Sequence, residues 1–377
     1  MANNFNPVLP TLFSSAQEVS NEPTGVLSAI NMTFDDKGVA IGDTVKVPVA
    51  PMATSSTYTP AMTVTAGTDA TATAVSVTIT GNDQVSWNLT GEQIRSLDNG
   101  PESSEWVRQM MLQGMRKLRN NAEAAATLAV KQGASRAYGT AGTTPFAADL
   151  SALTNARKIL QDNGAPLADL QMVVDTAAAL NLRNLGVVQN SYQAGSDAER
   201  RSGALLRQFG FQIGESAQIT THTKGTGAAY VTSGSTAVGV TDIALVTGTG
   251  TVLAGDVATF AADTVNKYVV GTGVAAPGTI SLNRPGARVV IATANAMTVG
   301  NNYVPNLAFE RSAVVGIMRP PIIPVGGVIT RTQAISDSRG MTYLLVEAIG
   351  DGMITWRLHL AYGFKVVQPE HVAIIMG

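Results

Sequence analysis

Residues 101–133 read PESSEWVRQMMLQGMRKLRNNAEAAATLAVKQG, and their spacing predicts one long helix. Val107, Met111, Met115, Leu118, Ala122, Ala125 and Ala129 recur at steps of three and four, which puts them on one stripe. Pro101 suits a first helical position, and Glu102 and Glu105 sit where the helix dipole favours acids. Arg116, Lys117, Arg119 and Lys131 fall later, and Gly133 supplies a stop. At 1.5 Å per residue such a helix is roughly 45–50 Å long, well above the mean of about a dozen residues. It reads as a girder, or as the long core helix of an ordinary domain.

Upstream of the helix, residues 43–92 are strand material. Thr44-Val-Lys-Val-Pro48 alternates, Met62–Ala66 and Ala74–Thr80 are rich in Thr and Val, and Val85–Leu89 alternates again. Gly67-Thr-Asp69 and Gly81-Asn-Asp83 read as turns. With so few large side chains these strands make no core of their own, so they read as an extended β arm that lies on a neighbour. Residues 1–42 carry weak periodicity, with a short helix expected over Thr11–Val19 and an apolar segment over Val26–Met32. They read as a terminal arm ordered by docking, or as a frayed end.

Downstream, residues 136–221 predict a mixed α/β unit. A helix is expected over Asp149–Asn163, a buried strand over Leu170–Val174, a helix over Thr176–Leu185 capped by Asp175 or Thr176, and a strand over Phe209–Ile213. Ser202–Arg207 also reads as helical. Residues 222–304 lose all helical pattern. Short strands at Ile243–Thr247, Val257–Phe260, Tyr268–Val270, Thr279–Leu282 and Arg288–Ala292 alternate with glycine turns, the signature of a small β-barrel or sandwich. In the last part, Tyr343–Val346 and Val372–Met376 read as buried strands, and Gly350-Asp-Gly352 as a hairpin turn. Residues 354–364 alternate strictly, with His359 assigned to the polar face.

The chain has 377 residues, above the length at which one core usually stops growing, so several modules are expected. Its hydrophobic content of 45% is ordinary, but charged residues are only 14%, against a usual figure of about 25%. Charge keeps surfaces apart, so a surface this neutral implies cover by other subunits, or a secreted β-rich protein. The net charge of −2 and the lack of a long basic run argue against strong phosphate-driven nucleic-acid binding. Cysteine is absent, which removes disulfides and thiolate metal sites. Met1–Pro10 lacks the pattern of a signal peptide, and no apolar run is long enough to cross a membrane.

Chemistry-bearing patterns are missing. His222, His359 and His371 are scattered and show no metal-ligand spacing. Gly225-Thr-Gly227, Gly248-Thr-Gly250 and Gly271-Thr-Gly273 complete no phosphate loop and read as hairpin turns. Asp35-Asp36 reads as a turn, and Asn31-Met-Thr33 and Asn88-Leu-Thr90 as chance glycosylation matches. No catalytic, cofactor-binding or metal-binding residue is assigned, and no cofactor is expected.

The order of parts carries a resemblance. Met115-Arg-Lys-Leu-Arg-Asn-Asn-Ala-Glu123, Phe209-Gly-Phe-Gln-Ile-Gly-Glu-Ser216, Asn306-Leu-Ala-Phe-Glu-Arg-Ser312 and Leu358-His-Leu-Ala-Tyr-Gly-Phe-Lys-Val-Val-Gln-Pro-Glu370 resemble segments of tailed-bacteriophage major capsid (coat) proteins of the P22 type. The likeness covers nearly the whole chain in order; residues 1–42 and the interior of 222–304 match in kind rather than in residues. It implies an α+β fold of the HK97-like capsid class. The parts would be an N-terminal arm (1–42), an extended β loop (43–92), a spine helix of the peripheral domain (93–135), the first part of an axial domain (136–221), an inserted β-barrel-like domain (222–304) and a return to the axial and peripheral sheets (305–377). It further implies assembly through hexamers and pentamers into an icosahedral shell, without catalysis. The implied partners are identical subunits, a separate scaffolding protein, a portal, and weakly contacted double-stranded DNA. The implied location is the virion, assembled in the bacterial cytoplasm and expanded from a procapsid. Asp242, Asp256 and Asp263 are expected in loops of the inserted domain, available to a neighbouring subunit or solvated. The alternative is a β-rich tail or surface protein that binds a host receptor; an enzyme would need a convergent acid, base or metal cluster.

Overall fold

The computed structural model describes residues 22–34, 39–50, 57, 60, 73–98, 103–189, 207–336 and 341–377. The expectations for Thr11–Val19, Asp35-Asp36, Met62–Ala66, Gly67-Thr-Asp69 and most of Ser202–Arg207 lie outside those residues. The chain runs α1 (Gly25–Ala29), β1 (Asn31–Phe34), β2 (Thr44–Val49), β3 (Thr73–Thr78), β4 (Gly81–Thr90), α2 (Gly91–Asp98) and α3 (Ser103–Gly133). There follow β5 (Arg136–Tyr138), α4 (Ser151–Asp162), β6 (Leu170–Val174), α5 (Thr176–Asn184), α6 (Gly186–Gln189) and β7 (Phe211–Glu215). Next come β8 (Tyr230–Thr232), β9 (Asp242–Val246), β10 (Val257–Phe260), β11 (Asp263–Thr272), β12 (Thr279–Leu282) and β13 (Ala296–Val299). The chain closes with β14 (Pro305–Glu310), β15 (Val314–Arg319), β16 (Ile329–Ser336), β17 (Thr342–Gly350), β18 (Met353–Val366) and β19 (Val372–Met376).

The predicted girder is α3, 31 residues long. Its first half lies against one sheet: Met115, Leu118 and Ala122 pack with Val85 and Trp87 of β4 and Leu358, Leu360 and Tyr362 of β18. Its second half lies against another: Ala126 and Val130 pack with Leu307 and Phe309 of β14 and Val372 and Ile374 of β19. The fully buried row therefore runs Leu118, Ala122, Ala126, Val130; Ala125 of the expected stripe packs half-buried against the first sheet, and Ala129 is only half-buried. The physical reason is that residues 122–129 are mostly alanine, so their apolar pattern singles out no face. Tertiary packing chooses one, and it buries Glu123, Thr127 and Lys131 as well.

The sheet under the first half has six strands, β1-β15-β18-β17-β16, with β4 also on β18. β18 is its organiser. Residues 353–359 pair with β17, 361–366 with β15, and 353–362 with β4, all antiparallel. Leu358, Leu360 and Tyr362 face the helix, as alternation predicts. His359 departs from the expected polar face: it is 8% exposed. That face is covered further along, where Ala361 packs with Val77 and Ile79. β4 starts at Gly81, so the expected turn at 81–83 is replaced by strand. The glycine is required there because a Cβ would meet the Tyr362 ring at 2.4 Å.

The other sheet has eleven strands, β10-β13-β8-β9-β12-β11-β5-β19-β14-β6-β7. Its β5-β19-β14-β6-β7 part is buried on both faces. LQMVV, PNLAFE and VAIIM are buried at every position, the continuous apolar run expected of a sheet covered on both sides. Leu170, Met172, Ala308, Ala373 and Ile375 meet α4 and α5 on one face. Val173, Leu307, Phe309, Val372 and Ile374 meet α1 and α3 on the other. The predicted cap of α5 is Asp175, whose carboxylate accepts from Ala177 and Ala178 N–H at 3.2 and 3.1 Å.

The remaining six strands of that sheet come from the stretch read as a β unit. β10-β13-β8-β9-β12-β11 close on themselves through a β10–β11 pairing. Tyr230, Ile243, Leu245, Phe260, Tyr268, Ile280 and Met297 fill the interior with other residues of the same stretch. The expected strand at Arg288–Ala292 does not form; Ile291 makes only an isolated bridge to Thr236. None of the three Gly-Thr-Gly runs is the expected hairpin turn: Gly248–Gly250, with left-handed glycines, carries the antiparallel pairing of β8 and β9 onward through the Ala228↔Thr249 bridge. The other two are sites of close approach. A Cβ at Gly225 would lie 2.2 Å from Thr251 O, and one at Gly273 1.9 Å from Val252 O, so glycine is needed for backbone proximity rather than for chain reversal.

Candidate assembly interfaces

β2 and β3 form a two-stranded sheet of their own, in register from Thr44↔Thr78 to Val49↔Thr73. Burial along β2 alternates between exposed and half-buried, with no buried position. One face is anchored along the described length. Val45, Val47, Val49, Val75, Val77 and Ile79 pack with Val39, Val315, Ile317, Ala361 and Val367. A two-stranded ribbon is marginal by itself, and the other face of β2, at Thr44, Lys46 and Pro48, stays exposed. Gly363 sets how closely the base sits, since a Cβ there would come 2.2 Å from Thr78 O. Gly363→Val should lift the ribbon and expose Val77 and Ile79. We expect faster amide exchange over residues 73–80, with exchange in β14 and β19 unchanged.

α3 also clasps the segment leading into α1. Arg116 pairs with Glu22, and Asn120 Nδ2 donates to Glu22 at 3.0 Å. One turn further, Glu123 accepts from Val26 N–H at 2.8 Å and Leu27 N–H at 2.9 Å. It thereby satisfies the first amides of α1, whose own N-cap residue makes no side-chain cap. The hydrogen bond from Arg116 lowers the Glu22 pKa to about 2. Burial pushes the Glu123 carboxyl in the other direction, upward. A depressed carboxylate contributes stability above its unfolded pKa and loses it as pH falls through the folded one. The Glu22 contribution should therefore disappear between about pH 4.5 and 2. Glu22→Gln should show a shallower fall of Tm across that window than the parent chain, measured by calorimetry in steps of half a pH unit.

The closed six-strand unit meets α3 through buried polar groups. Asp256 is 1% exposed and accepts from His222 Nε2 at 2.8 Å, Leu253 N–H at 2.8 Å and Gly225 N–H at 3.1 Å. Lys131 of α3 lies beside it; burial lowers its pKa, and Asp256 opposes that shift. Asn283 Nδ2 donates to Gln132 O and Ala134 O, both at 2.7 Å, and so satisfies carbonyls at the end of α3. Arg136 donates to Asn266 and Asn163 at 2.8 and 3.0 Å. Asp263 accepts from Tyr268 OH at 2.5 Å and from Asn266. Asp256 does lie in a loop, just before β10, and Asp263 opens β11, but neither is solvated or available to a neighbour. Both are interior, because each satisfies several donors that would otherwise be buried unpaired. Asp242 is the exposed one of the three, and it bonds Ser281 within the same unit.

Among the described residues, no three His, Asp or Glu side chains are grouped so as to hold a metal ion. His222 lies on Asp256; His359 sits in the β18 sheet, where burial and Arg357 lower its pKa; His371 sits in a short turn before β19, where burial also lowers its pKa. None of the described helices is long and apolar enough to cross a membrane.

The chain is similar over almost its whole length to solved phage structures. One, from Mycobacterium phage Che8, aligns with a TM-score of 0.53 at 15% identity, covering 99% of this chain and 98% of that one. Another is the capsid structure of the cyanophage P-SCSP1u, at a TM-score of 0.51 and 11% identity, covering 100% of this chain and 95% of that one. The fold is one found in a phage capsid. At these identities the likeness is one of fold alone. No protein-family model matches the sequence, and no curated protein sequence matches it.

Within this capsid fold, the residues that hold parts together escaped sequence reasoning. Glu22, Glu123, Asp256 and Asn283 act between segments 31 to 151 positions apart. The one local signal was Glu123 itself, an acid in the apolar half of a helix.

Proposed function

We propose that this chain is a structural subunit of a bacteriophage capsid, with the HK97-like fold, that assembles with identical copies into an icosahedral shell through hexamers and pentamers. The observation that carries this reading is the full-length similarity of fold to the cyanophage capsid structure. The ribbon, exposed along one face of β2, and the low charge content support it. In this reading residues 1–42 are a terminal arm, 43–92 the extended loop, 93–135 the spine, 136–221 and 305–377 the axial and peripheral parts, and 222–304 an inserted domain. β4, within the loop segment by number, pairs along β18, so the reaching part is β2, β3 and what joins them. A separate scaffolding protein guides closure, a portal occupies one vertex, DNA is enclosed with weak non-specific contact, and the shell later expands.

Function here is burial rather than turnover. Association of this kind depends on apolar cores with polar rims at several contacts per subunit. The test is co-expression with a candidate scaffolding protein, followed by sedimentation and electron microscopy. Closed shells of uniform size are expected. Protein that stays monomeric at high concentration with scaffold present would overturn the reading.

A further inference from the structure

Two Asn-Gly pairs occur in the chain, Asn99-Gly100 and Asn163-Gly164. In such a pair the glycine nitrogen meets little steric hindrance and can attack the side-chain amide carbon. The new N–C bond closes a five-membered succinimide ring and expels ammonia. Water then opens the ring to aspartate or to isoaspartate, whose main chain runs through the side-chain methylene. The fold bears directly on the second pair. α4 ends there in a Schellman turn: Gly164 N–H donates to Gln161 O at 3.0 Å and Ala165 N–H to Leu160 O at 2.9 Å, with Gly164 left-handed at φ 79°. Asn163 is held at ψ −2°, so Gly164 N eclipses the Asn163 nitrogen and stands apart from its Cβ. The ring needs that Cβ and Gly164 N on one side of the Cα–C bond. The side chain is tied as well. Its Nδ2 donates to Glu370 O at 2.8 Å and to Ser135 Oγ at 3.2 Å, and its Oδ1 accepts from Arg136 at 3.0 Å. Gly164 is exposed, so water reaches the site and conformation alone holds it shut.

We propose that Asn163 is a modification site gated by folding. It is silent while α4 stays docked, and it converts irreversibly whenever the last turn of α4 lifts from β5 and from the turn at Pro369–His371. Conversion disables the joint in which the residue sits. Asn163 ties the end of α4 to β5 and to the chain just before β19, and Arg136 carries the tie on to Asn266 of the closed six-strand unit. An aspartate at 163 has no donor for Glu370 O and Ser135 Oγ, and it puts negative charge at a helix C-terminus, where the dipole disfavours it. Arg136 still pairs with that carboxylate, so aspartate weakens the joint. Isoaspartate lengthens the main chain by one carbon, breaks the spacing of the two Schellman bonds and destroys the joint. A chain that lingers open is therefore marked and kept from refolding, while a folded chain keeps its amide. The site sorts subunits by the time they spend unfolded, and it does so whether or not the assembly reading above holds.

The test follows one tryptic peptide, residues 159–183. Folded protein and protein unfolded in urea are kept in the same mildly alkaline buffer, and the peptide is mapped over time for conversion of amide to acid, with isoaspartate separated by chromatography. Asn99-Gly100 in the urea sample supplies the rate of an open pair. Asn163 should match that rate in urea and convert at least about a hundredfold more slowly in the folded protein, a ratio equivalent to about 2.8 kcal/mol of local opening. The aged urea sample is then returned to native buffer. Chains with isoaspartate at 163 should appear in the aggregate and be missing from the folded fraction. Asn163→Asp, made genetically, should fold with a lowered Tm. Equal rates in the folded and unfolded protein would overturn the gate. Isoaspartate chains shared evenly between folded and aggregated fractions, or an Asn163→Asp chain with the parent's Tm, would overturn the consequence drawn for refolding.

Discussion

Replacing residues 50–72 by Asn-Gly should give a folded subunit that no longer closes shells. Val49 and Thr73 face each other as the last pair of the β2–β3 ladder, so a two-residue turn joins them without moving either strand. The buried side chains of the base, Val77 and Ile79 at 0% and 1% exposure, lie outside the replaced stretch. A deletion over residues 55–80 would remove them and confound folding with assembly. Shortening a loop changes chain entropy only slightly, so the Tm should stay within about 3 °C of the parent. Assembly should suffer far more. Losing even about 1.4 kcal/mol per contact is tenfold in each association constant, and a shell repeats that loss at every subunit. The measurement is the ratio of sedimenting particles to free subunit at fixed concentration, with Tm taken on the free subunit. Normal particle yield would show that the ribbon makes no essential contact.

Asp256→Ala should be the most damaging single change to the folded chain. It removes the acceptor for Gly225 and Leu253 N–H and leaves His222 and Lys131 without their carboxylate. Deleting one member of a buried charged set typically costs about 3–5 kcal/mol. For a chain of this size each kcal/mol shifts Tm by roughly 2–4 °C, so a drop of about 6–20 °C is expected by calorimetry. Asp256→Asn keeps the shape and part of the hydrogen bonding, and should lose less than half as much. Exchange should quicken first over residues 222–256. A Tm change under about 2 °C for the alanine variant would mean that the cluster is dispensable.

What the sequence made legible was whatever repeats at a short period. The long helix, the alternation of β18 and the fully apolar β19 follow from spacing of three to four, of two, and from uninterrupted runs. What it hid was whatever depends on partners far along the chain. The buried face in the alanine-rich half of α3 is chosen by β14 and β19, which lie more than 170 residues away. His359 is buried in a strand whose next residue on that face, Ala361, lies under the ribbon base, a placement that alternation does not reveal. Asp256 and Asp263 look like turn residues, since aspartate next to glycine or alanine is a turn signal, and only the folded chain brings donors to them. The resemblance gave the order of parts but not these joints.

The ring formed by β8 to β13 limits where this subunit can go wrong. A β-structure that bites its own tail presents no hem for a stray strand to catch. Loose hems survive in the described residues at β1, β4, β7 and β16 of the two large sheets, each with one ladder partner, and along the β2–β3 ribbon. Fouling between half-folded chains should begin at those selvedges. The ringed unit should stay clean and let the crowded products of synthesis slide past one another until closure.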